Sequence, residues 1–463
     1  MSVITVDDVE LDLPPGPGSL THRLTATLRR AVQTGRLPDG TAVPPSRALA
    51  SHIGCSRWVV TEAYGQLVAE GYLEATTGSA TRVRGSVTPA ATTAGHNLSP
   101  PPRPRFDLAP GVPDIAAFPR SRWAEAYRRA VLDLPNDLLA GRALVATTAA
   151  RTTLTGFLRR TRQVQEDPTQ LSLTTGSSAA IGWLTALLVR LGHTRIAVED
   201  PSWAGLRSVA RRGGLEPVPI SVDQHGLVVD ELHHHRDVRL ALVTPAHQFP
   251  VGVALSAARR RELIDWAQRV DGLIIEDDYD ADFRYDRRPV SSLQGMAPDR
   301  VILLGSLSKA LSPAMELGWM IMPQQLILAL LGLDLDRVVS PSPLTVEALS
   351  VMIERGWYEK HLRTQRLRYR ARREHLITAL EQYLPDAEIT GLAAGLHLPL
   401  RLPRATVTQD VIRRANRLQL GLTDADRYRI RPDQNPALVV GFGNLRDNRV
   451  DEAVRRLARA VHP

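Results

Sequence analysis

From Phe106 to the end of the chain, short apolar runs alternate with amphipathic stretches, and this pattern limits the possible folds more than any other feature. Short apolar runs separated by helices are typical of parallel strands that are buried on both faces. The alternation therefore predicts an α/β domain with a mostly parallel sheet flanked by helices. Strands are predicted at 171–174, 195–198, 239–243, 272–276 and 301–304, and helices at 178–191, 204–212, 256–269 and 345–381.

The end of this domain has a different pattern. Two short strands are predicted at 395–400 and 437–441, followed by a closing helix near 449–461. Strands and helices that are segregated in this way are typical of an α+β arrangement. The sequence therefore predicts a small C-terminal α+β subdomain.

The first hundred residues divide into three segments. Residues 1–19 end in a Pro/Gly-rich run and are predicted to form an N-terminal arm, and residues 20–84 are predicted to form a compact unit. Residues 85–105 contain five prolines among Ala, Thr and Gly, which predicts an extended linker. We therefore expect this linker to join the compact unit to the domain at 106–463.

Composition excludes several classes of protein. A single cysteine, Cys55, rules out a disulfide within the chain and fits a cytoplasmic protein. The start does not resemble a signal peptide, and no apolar run is long enough to span a bilayer, so we expect no membrane association. The formal net charge of +8 suits nucleic acid, but a bias towards arginine can produce such a charge without any such function.

The compact unit has the pattern of a helix-turn-helix followed by a β-wing. Apolar residues recur at helical spacing over 20–35, and a second helix is predicted to begin with Ser46 as its cap and to end at Gly54. A third helix is predicted from Ser56 to about residue 70, and two short strands about a Gly turn complete the wing. Eight arginines against four acidic residues are a moderate excess, so a small helical domain with surface arginines remains an alternative reading.

This segment closely resembles the winged helix-turn-helix domain of GntR-type regulators over about residues 20–84. The resemblance is carried by Pro45-Ser46-Arg47-Ala48-Leu49-Ala50, by Ser56-Arg57 and by the run 63–73. It implies binding to double-stranded operator DNA. The residues that it assigns to DNA contacts are Ser46, Arg47, Ser56, Arg57 and Thr61, together with Gly78 of the wing, which would approach the minor groove. Trp58 stands where a small polar residue is usual, which implies a different base preference.

Lysine is nearly absent from the chain. Of the 57 lysine and arginine residues, only Lys309 and Lys360 are lysines. Lys360 lies in a polar helical stretch and is interpreted as a surface residue. Lys309 follows the predicted strand 301–304 among small hydroxyl residues, where an amine can react with a carbonyl group and a guanidinium cannot. We therefore interpret Lys309 as a residue retained for amine chemistry.

Three further groups of residues follow predicted strands. Glu276-Asp277-Asp278-Tyr279 offers a carboxylate that could keep a pyridine nitrogen protonated. Residues 174–178 join a strand to a helix whose first amides and hydroxyls suit a phosphate, and Trp203 could cover a planar ring. Taken alone, these groups are also typical of a solvated loop or metal site, of a capped helix and of a core aromatic residue.

Taken together, their order and spacing resemble fold-type I pyridoxal-phosphate proteins of the aminotransferase kind over residues 106–463. Residues 244–252 resemble the cofactor-side loop of that family. Because the winged helix-turn-helix precedes this domain, the whole chain resembles the MocR-type regulators. The resemblance implies that pyridoxal 5'-phosphate binds through Lys309.

The same resemblance assigns further roles. Asp277 would pair with the pyridine nitrogen, Tyr279 would reach the phenolic oxygen, and Trp203 would stack on the ring. The phosphate would be held by Ser177, Ser178, Ser306 and Ser308. Arg427 would bind the carboxylate of a ligand, and no metal site is expected.

The chain departs from the family at two positions near the expected phosphate. Glu316 occupies the place of a phosphate-binding arginine, and the segment before Gly141 lacks the family's tyrosine. A carboxylate beside a phosphate repels it unless it is protonated or turned away. These departures predict a weaker phosphate site, for which Arg142 is a candidate substitute.

The expected function is that of a transcriptional regulator. The resemblance implies a homodimer, arranged head to tail, whose vestigial aminotransferase domain senses the cofactor, or an amine or amino acid through it, without turnover. Two alternatives remain open at this point. One is a regulator whose large domain only dimerises and holds no cofactor, and the other is a working aminotransferase with a DNA-binding domain.

Overall fold

The computed structural model describes residues 2–6, 9–13, 18–75, 80–84, 104–140, 145–165, 170–285, 291–331, 340–433 and 435–462. The chain forms two compact units, Met1–Pro101 and Pro102–Pro463. No helix within the described ranges combines the length and the apolarity needed to cross a bilayer.

The N-terminal unit is built from three helices and two small antiparallel sheets. Its elements are β1 (Ser2–Val6), β2 (Val9–Leu13), α1 (Leu20–Gln33), α2 (Ser46–Ile53), α3 (Arg57–Ala69), β3 (Leu73–Glu74) and β4 (Arg82–Val83). The hairpin of β1 and β2 lies within the predicted arm and contacts α1 and α2. Strands β3 and β4 pair as the predicted wing, while the turn residues 76–79, including Gly78, lie outside the described residues.

The turn between α2 and α3 forms largely as the sequence predicts. Gly54 ends α2 in the left-handed conformation, with φ 69° and ψ 38°, which costs glycine little because it has no Cβ. The predicted cap at Ser46 is wrong, because Pro45 occupies the cap position and Ser46 is the first residue of α2. Ser56 holds the cap position of α3, but its hydroxyl makes no capping hydrogen bond. The hydroxyls of Ser46 and Ser56 therefore lie at the starts of α2 and α3 without capping these helices.

The large unit begins with alternating strands and helices. Its first part contains β5 (Phe106–Asp107), α4 (Arg120–Asp133), α5 (Asn136–Leu139), α6 (Thr148–Arg162), β6 (Leu171–Thr174), α7 (Ser177–Arg190), β7 (Arg195–Asp200), α8 (Ala204–Arg212), β8 (Glu216–Asp223), β9 (Gly226–Leu227), β10 (Leu240–Val243), α9 (Ala257–Arg269), β11 (Leu273–Asp277), β12 (Val301–Ser306), β13 (Gly318–Ile321) and α10 (Gln324–Leu331). The five predicted strands and the first three predicted helices all form, with ends that differ by a few residues.

One eight-stranded sheet organises these elements, in the order β6-β13-β12-β11-β10-β7-β8-β9. The neighbours from β12 to β8 are parallel, whereas β13 runs antiparallel to both β12 and β6. Strands β10 and β11 are buried along their whole length, which explains their continuous apolar sequences. The predicted α/β class is therefore confirmed, and the carboxyl ends of β6, β7, β10, β11 and β12 lie at one edge of the sheet.

The last part of the large unit contains two helices, followed by the predicted α+β subdomain. Its elements are α11 (Pro343–Glu354), α12 (Trp357–Tyr383), β14 (Glu388–Ile389), β15 (His397–Arg401), α13 (Thr408–Arg417), β16 (Leu420–Gly421), β17 (Ala437–Gly441) and α14 (Val450–Val461). Strands β14, β15 and β17 form an antiparallel sheet. The single helix predicted at 345–381 is wrong, because Gly356 takes a left-handed conformation (φ 64°) and separates α11 from α12.

Candidate functional site

A cavity of about 220 Å³ opens at the carboxyl edge of the large sheet. Because parallel strands end at the same edge, residues that are far apart in sequence meet there. The cavity is lined by every side chain that the sequence analysis assigned to a cofactor, namely Lys309, Asp277, Tyr279, Trp203, Ser177, Ser178, Ser306 and Ser308. It is also lined by Gly111, Asp280 and His397, which were not predicted from the sequence.

Lys309 brings a buried amine to this cavity. Its Nζ donates a hydrogen bond to the carbonyl oxygen of Gly111. Burial lowers the pKa of the Lys309 amine, and the nearby carboxylates of Asp280 and Asp277 oppose this only in part. A lowered pKa increases the fraction of neutral amine, which is the form that attacks a carbonyl group.

Asp277 ends β11 and lies fully within the protein near the Lys309 amine. One of its carboxylate oxygens accepts a hydrogen bond of 3.0 Å from the Ser177 hydroxyl. Burial raises the pKa of Asp277 to about 7, although the Ser177 hydrogen bond and the Lys309 charge act in the opposite direction. A cation placed against this carboxylate would offset the cost of burying its charge.

A cradle of hydroxyls and backbone amides surrounds the start of α7. Gly176 precedes the helix with φ 127°, and a Cβ at this position would lie 3.8 Å from the Ser306 hydroxyl oxygen. Ser306 donates to the Ser308 hydroxyl at 2.9 Å and accepts from the Ser308 amide at 3.1 Å. Hydroxyls and free amides at the start of a long helix suit an anion.

The aromatic side of the cavity is formed around Trp203. This side chain is 41% exposed, and it stacks on Tyr428 with ring centroids 5.7 Å apart. Phe249 meets Trp203 edge to face at 5.4 Å. The Trp203 ring thus lines the cavity while its position is fixed by two other aromatic rings.

Two residues implicated by the sequence, Arg427 and Glu316, do not line the cavity. Arg427 is exposed in the short turn 425–428 and is absent from the cavity lining. Glu316 is also exposed and absent from the lining, and it ends the turn 313–315 with φ 45°. The carboxylate of Glu316 therefore does not oppose an anion in the cavity. Arg142 and Gly141 lie outside the described residues.

The N-terminal unit presents its predicted DNA contacts, apart from Gly78, at or near the starts of α2 and α3. Arg47, Ser56, Arg57 and Thr61 are exposed. The Arg57 Nε donates to the Ser46 hydroxyl at 3.2 Å, which links the first turns of α2 and α3. Trp58, beside Arg57, is 67% exposed, so this surface presents a large aromatic ring as well as positive charge.

Comparison with known proteins assigns both units to families. The family model described as aminotransferase class I and II matches residues 119–457, and the model for bacterial regulatory proteins of the gntR family matches residues 20–83. Among solved structures, the multiple substrate aminotransferase of Thermococcus profundus superposes with a TM-score of 0.68. The two sequences are 22% identical, and the match covers 77% of this chain and 91% of that one, which shows the shared fold.

Two relatives resemble the chain over nearly its whole length. It is 33% identical over 459 residues to the HTH-type pyridoxine biosynthesis transcriptional regulator PdxR of Corynebacterium glutamicum, with 97% of each chain covered. It is 29% identical over 479 residues to the probable rhizopine catabolism regulatory protein MocR of Rhizobium meliloti, with 98% of this chain and 95% of that one covered.

Proposed function

The chain belongs to the MocR-type transcriptional regulators, and from this premise we propose that pyridoxal 5'-phosphate bound at Lys309 controls how the protein engages its operator DNA. The observation that carries the proposal is the convergence of an amine, a buried carboxylate, a phenol and a hydroxyl-rich helix start on one cavity. When bound, this cofactor supplies an aldehyde that links to an amine and a pyridine ring that accepts electrons.

The residues of the cavity fit each part of the cofactor. Lys309 would hold the aldehyde carbon, and Asp277 would keep a proton on the ring nitrogen. Trp203 would cover the ring, and Tyr279 would donate a hydrogen bond to the phenolic oxygen. The phosphate would be held by Ser177, Ser178, Ser306 and Ser308. The name of the relative PdxR, which refers to pyridoxine biosynthesis, supports a ligand of this chemical class.

We propose that the bound cofactor acts as a signal and is not turned over. Lys309 is the one positively charged residue among the described residues that line the cavity. A transaminase must keep its cofactor after the link to lysine has been broken, and hydroxyls alone hold a phosphate less strongly than charge-assisted hydrogen bonds do. The sensed ligand is therefore the cofactor itself, or an amine or amino acid that competes with Lys309 for it.

We also propose that the protein is a homodimer with head-to-tail subunits. Leu132 of α4 is 68% exposed and Leu139 of α5 is 55% exposed, and burial of such side chains against a second copy would be favourable. Sedimentation equilibrium should give the mass of two chains. A monomeric mass at micromolar concentration would remove this part of the proposal.

The regulatory role is tested on DNA that lies upstream of the protein's own gene. We expect the mobility-shift pattern or the apparent affinity of the purified protein to change when pyridoxal phosphate is added, because a ligand shifts an equilibrium only through different affinities for two states. The same titration with pyridoxine, which has no aldehyde, should have no effect. An identical response to both compounds, or to neither, would contradict the sensing role.

The DNA surface is tested by Arg57→Ala. We expect this change to weaken operator binding by about 1–3 kcal/mol, or roughly 5- to 150-fold, because it removes an exposed charge at the start of α3. Arg413→Ala removes the same charge from an exposed position on α13 of the large unit and is the matched control. Fluorescence anisotropy at fixed salt measures both variants, and equal losses would assign the effect to net charge.

A further inference from the structure

A group of three buried polar residues at the cavity wall is not explained by cofactor binding alone. His247 lies in the segment that follows β10, Asp280 follows β11, and His397 begins β15. All three side chains are buried, and their candidate donor atoms lie within 4.8 Å of one another. Asp280 and His397 line the cavity, whereas His247 stands behind them.

His247 contacts both Asp280 and Tyr279 through one ring nitrogen. The distance from His247 Nδ1 to an Asp280 carboxylate oxygen is 2.8 Å, and the distance from Nδ1 to the Tyr279 hydroxyl oxygen is 3.2 Å. Because an ionised carboxylate only accepts hydrogen bonds, Nδ1 carries the proton and donates it to Asp280. The phenol oxygen of Tyr279 then lies beside an N–H group, while burial, the charge of Asp280 and a hydrogen bond to Asp280 together raise the pKa of the phenol well above its usual range.

The backbone is shaped to allow this close arrangement. Gly395 has φ 66°, and a Cβ at this position would lie 2.3 Å from His247 Cε1 and 2.4 Å from an Asp280 carboxylate oxygen. No side chain can be tolerated at such distances without displacing the pair. The absence of a side chain at position 395 is therefore what lets the segment before β15 close over His247 and Asp280.

We propose that His247 and Asp280 act as a positioning pair that fixes the Tyr279 phenol and directs its proton into the cavity. The pair holds the phenol through His247 Nδ1 and the Asp280 carboxylate, and the phenol would exchange its hydrogen bond to Asp280 for one to an oxygen of the bound ligand. This role of the pair rests in part on the proposed function, because the ligand oxygen is the phenolic oxygen of pyridoxal phosphate. A chain of hydrogen bonds of this kind strengthens the terminal donor.

The charged and titratable groups around His247 are consistent with this role. It faces Tyr279, Asp280 and His397, with Asp277 and Lys309 beyond them across the cavity. Burial, together with neighbouring His247, holds the pKa of His397 well below its usual range. His397 therefore stays neutral beside His247, with ring centroids 5.1 Å apart, and adds no charge that would compete for Asp280.

The same three side chains could in principle hold a metal ion, but the distances favour the positioning pair. Two ligands of a tetrahedral zinc ion, each about 2.0–2.2 Å from the metal, are separated by about 3 Å or more. The 2.8 Å between His247 Nδ1 and Asp280 is a direct hydrogen bond. His397 Nε2 is buried without a hydrogen-bond partner among the described residues, so elemental analysis of the purified protein is included in the test.

The first test uses the visible absorption band that forms when pyridoxal phosphate is added. A hydrogen bond from Tyr279 favours the ionised form of the phenolic oxygen of pyridoxal phosphate. Loss of this hydrogen bond should therefore raise the midpoint pH, at which the band changes by half. We expect His247→Leu to raise this midpoint by about one unit and His247→Asn, which retains a donor near Nδ1, to restore it. In a Tyr279→Phe background, His247→Leu should produce no further shift. An unchanged midpoint in His247→Leu would overturn the proposal. So would a double variant whose shift equals the sum of the His247→Leu and Tyr279→Phe shifts.

The second test needs no cofactor, so it separates this inference from the proposed function. A proton shared between a buried histidine and a carboxylate gives a far-downfield proton resonance. We expect this resonance in the wild-type protein, its loss in His247→Leu, and its displacement in Tyr279→Phe. If the resonance behaves in this way while no visible band forms, the pair is supported and cofactor binding fails. If the resonance is unaffected in Tyr279→Phe, the proposed role of His247 and Asp280 is wrong. It is also wrong if the protein contains stoichiometric zinc that is lost in His397→Ala.

Discussion

Replacing Lys309 with alanine is expected to abolish the visible absorption band of bound pyridoxal phosphate, together with any response of operator binding to the cofactor. Lys309 supplies the amine in the described lining of the cavity, and alanine has no group that can link to an aldehyde. Because burial lowers the pKa of the Lys309 amine, the wild-type band should form at a lower pH than free lysine would require. Absorption scans across pH measure both effects.

The chain offers a nearly ideal control for this experiment. Lys360 is the other lysine of the chain, and it is exposed on α12. Lys360→Ala removes the same charge and the same functional group, so it should leave both the band and the operator response unchanged. Lys309→Arg keeps the charge but not the chemistry and should behave like Lys309→Ala. A band that survives in Lys309→Ala, or that is lost in both alanine variants, would contradict the assignment of Lys309.

The main architecture could be predicted because local periodicity and burial agree over most of the large unit. Helix α8 forms at the predicted residues 204–212, and the predicted strand 171–174 forms as β6. The break at Gly356 could not be predicted, since a glycine is tolerated inside a helical pattern and only the backbone shows its φ of 64°. The hairpin of β1 and β2 at the start of the chain was not predicted from the sequence.

Some residues of the site directly follow strands in the sequence, whereas others approach the cavity only in the folded chain. The group Glu276-Asp277-Asp278-Tyr279 was identified because it follows a buried strand, where parallel sheets bind ligands. The choice of Asp277 and Tyr279 within it came from the family resemblance. His397 gave no such signal, because it comes from the C-terminal subdomain and approaches the cavity only in the folded chain. The sequence also identified Glu316 as an unusual residue, but the direction of its side chain depends on a left-handed turn that sequence position does not reveal.

A buried ion pair beneath the cavity is the basis of the largest stability effect that we expect. Arg162 at the end of α6 forms two hydrogen bonds of 2.6 Å to Asp278, and the side chains are 5% and 10% exposed. Two further carboxylates, those of buried Glu276 and half-buried Asp282, are stabilised in part by the same positive charge. Burial raises the pKa of Glu276 to about 7 and that of Asp282 to about 6, and Arg162 opposes the rise in both groups.

Arg162→Met is therefore expected to destabilise the large unit by about 3–5 kcal/mol, because it removes the only cation paired directly with Asp278 among the described residues. Arg260 and Arg366 remain as nearby positive charges. A carboxyl group whose pKa is raised in the folded state binds its proton more tightly there than in the unfolded chain. Its contribution to stability is thus lost as pH rises from its ordinary pKa to the raised one. Without Arg162 the pKa values rise further, so the defect should be larger at pH 8 than at pH 5.

Arg160→Met is the matched control for this prediction. Arg160 lies on the same helix, but its side chain is 63% exposed and its ion pair with Glu359 is 3.4 Å long, so its replacement should change stability by less than about 0.5 kcal/mol. Denaturant unfolding, followed by tryptophan fluorescence, measures the large unit at both pH values, since Trp58 is the one tryptophan outside it. A cost that is equal for both variants, or independent of pH, would show that Arg162 acts through packing and not through the charges of the nearby carboxylates.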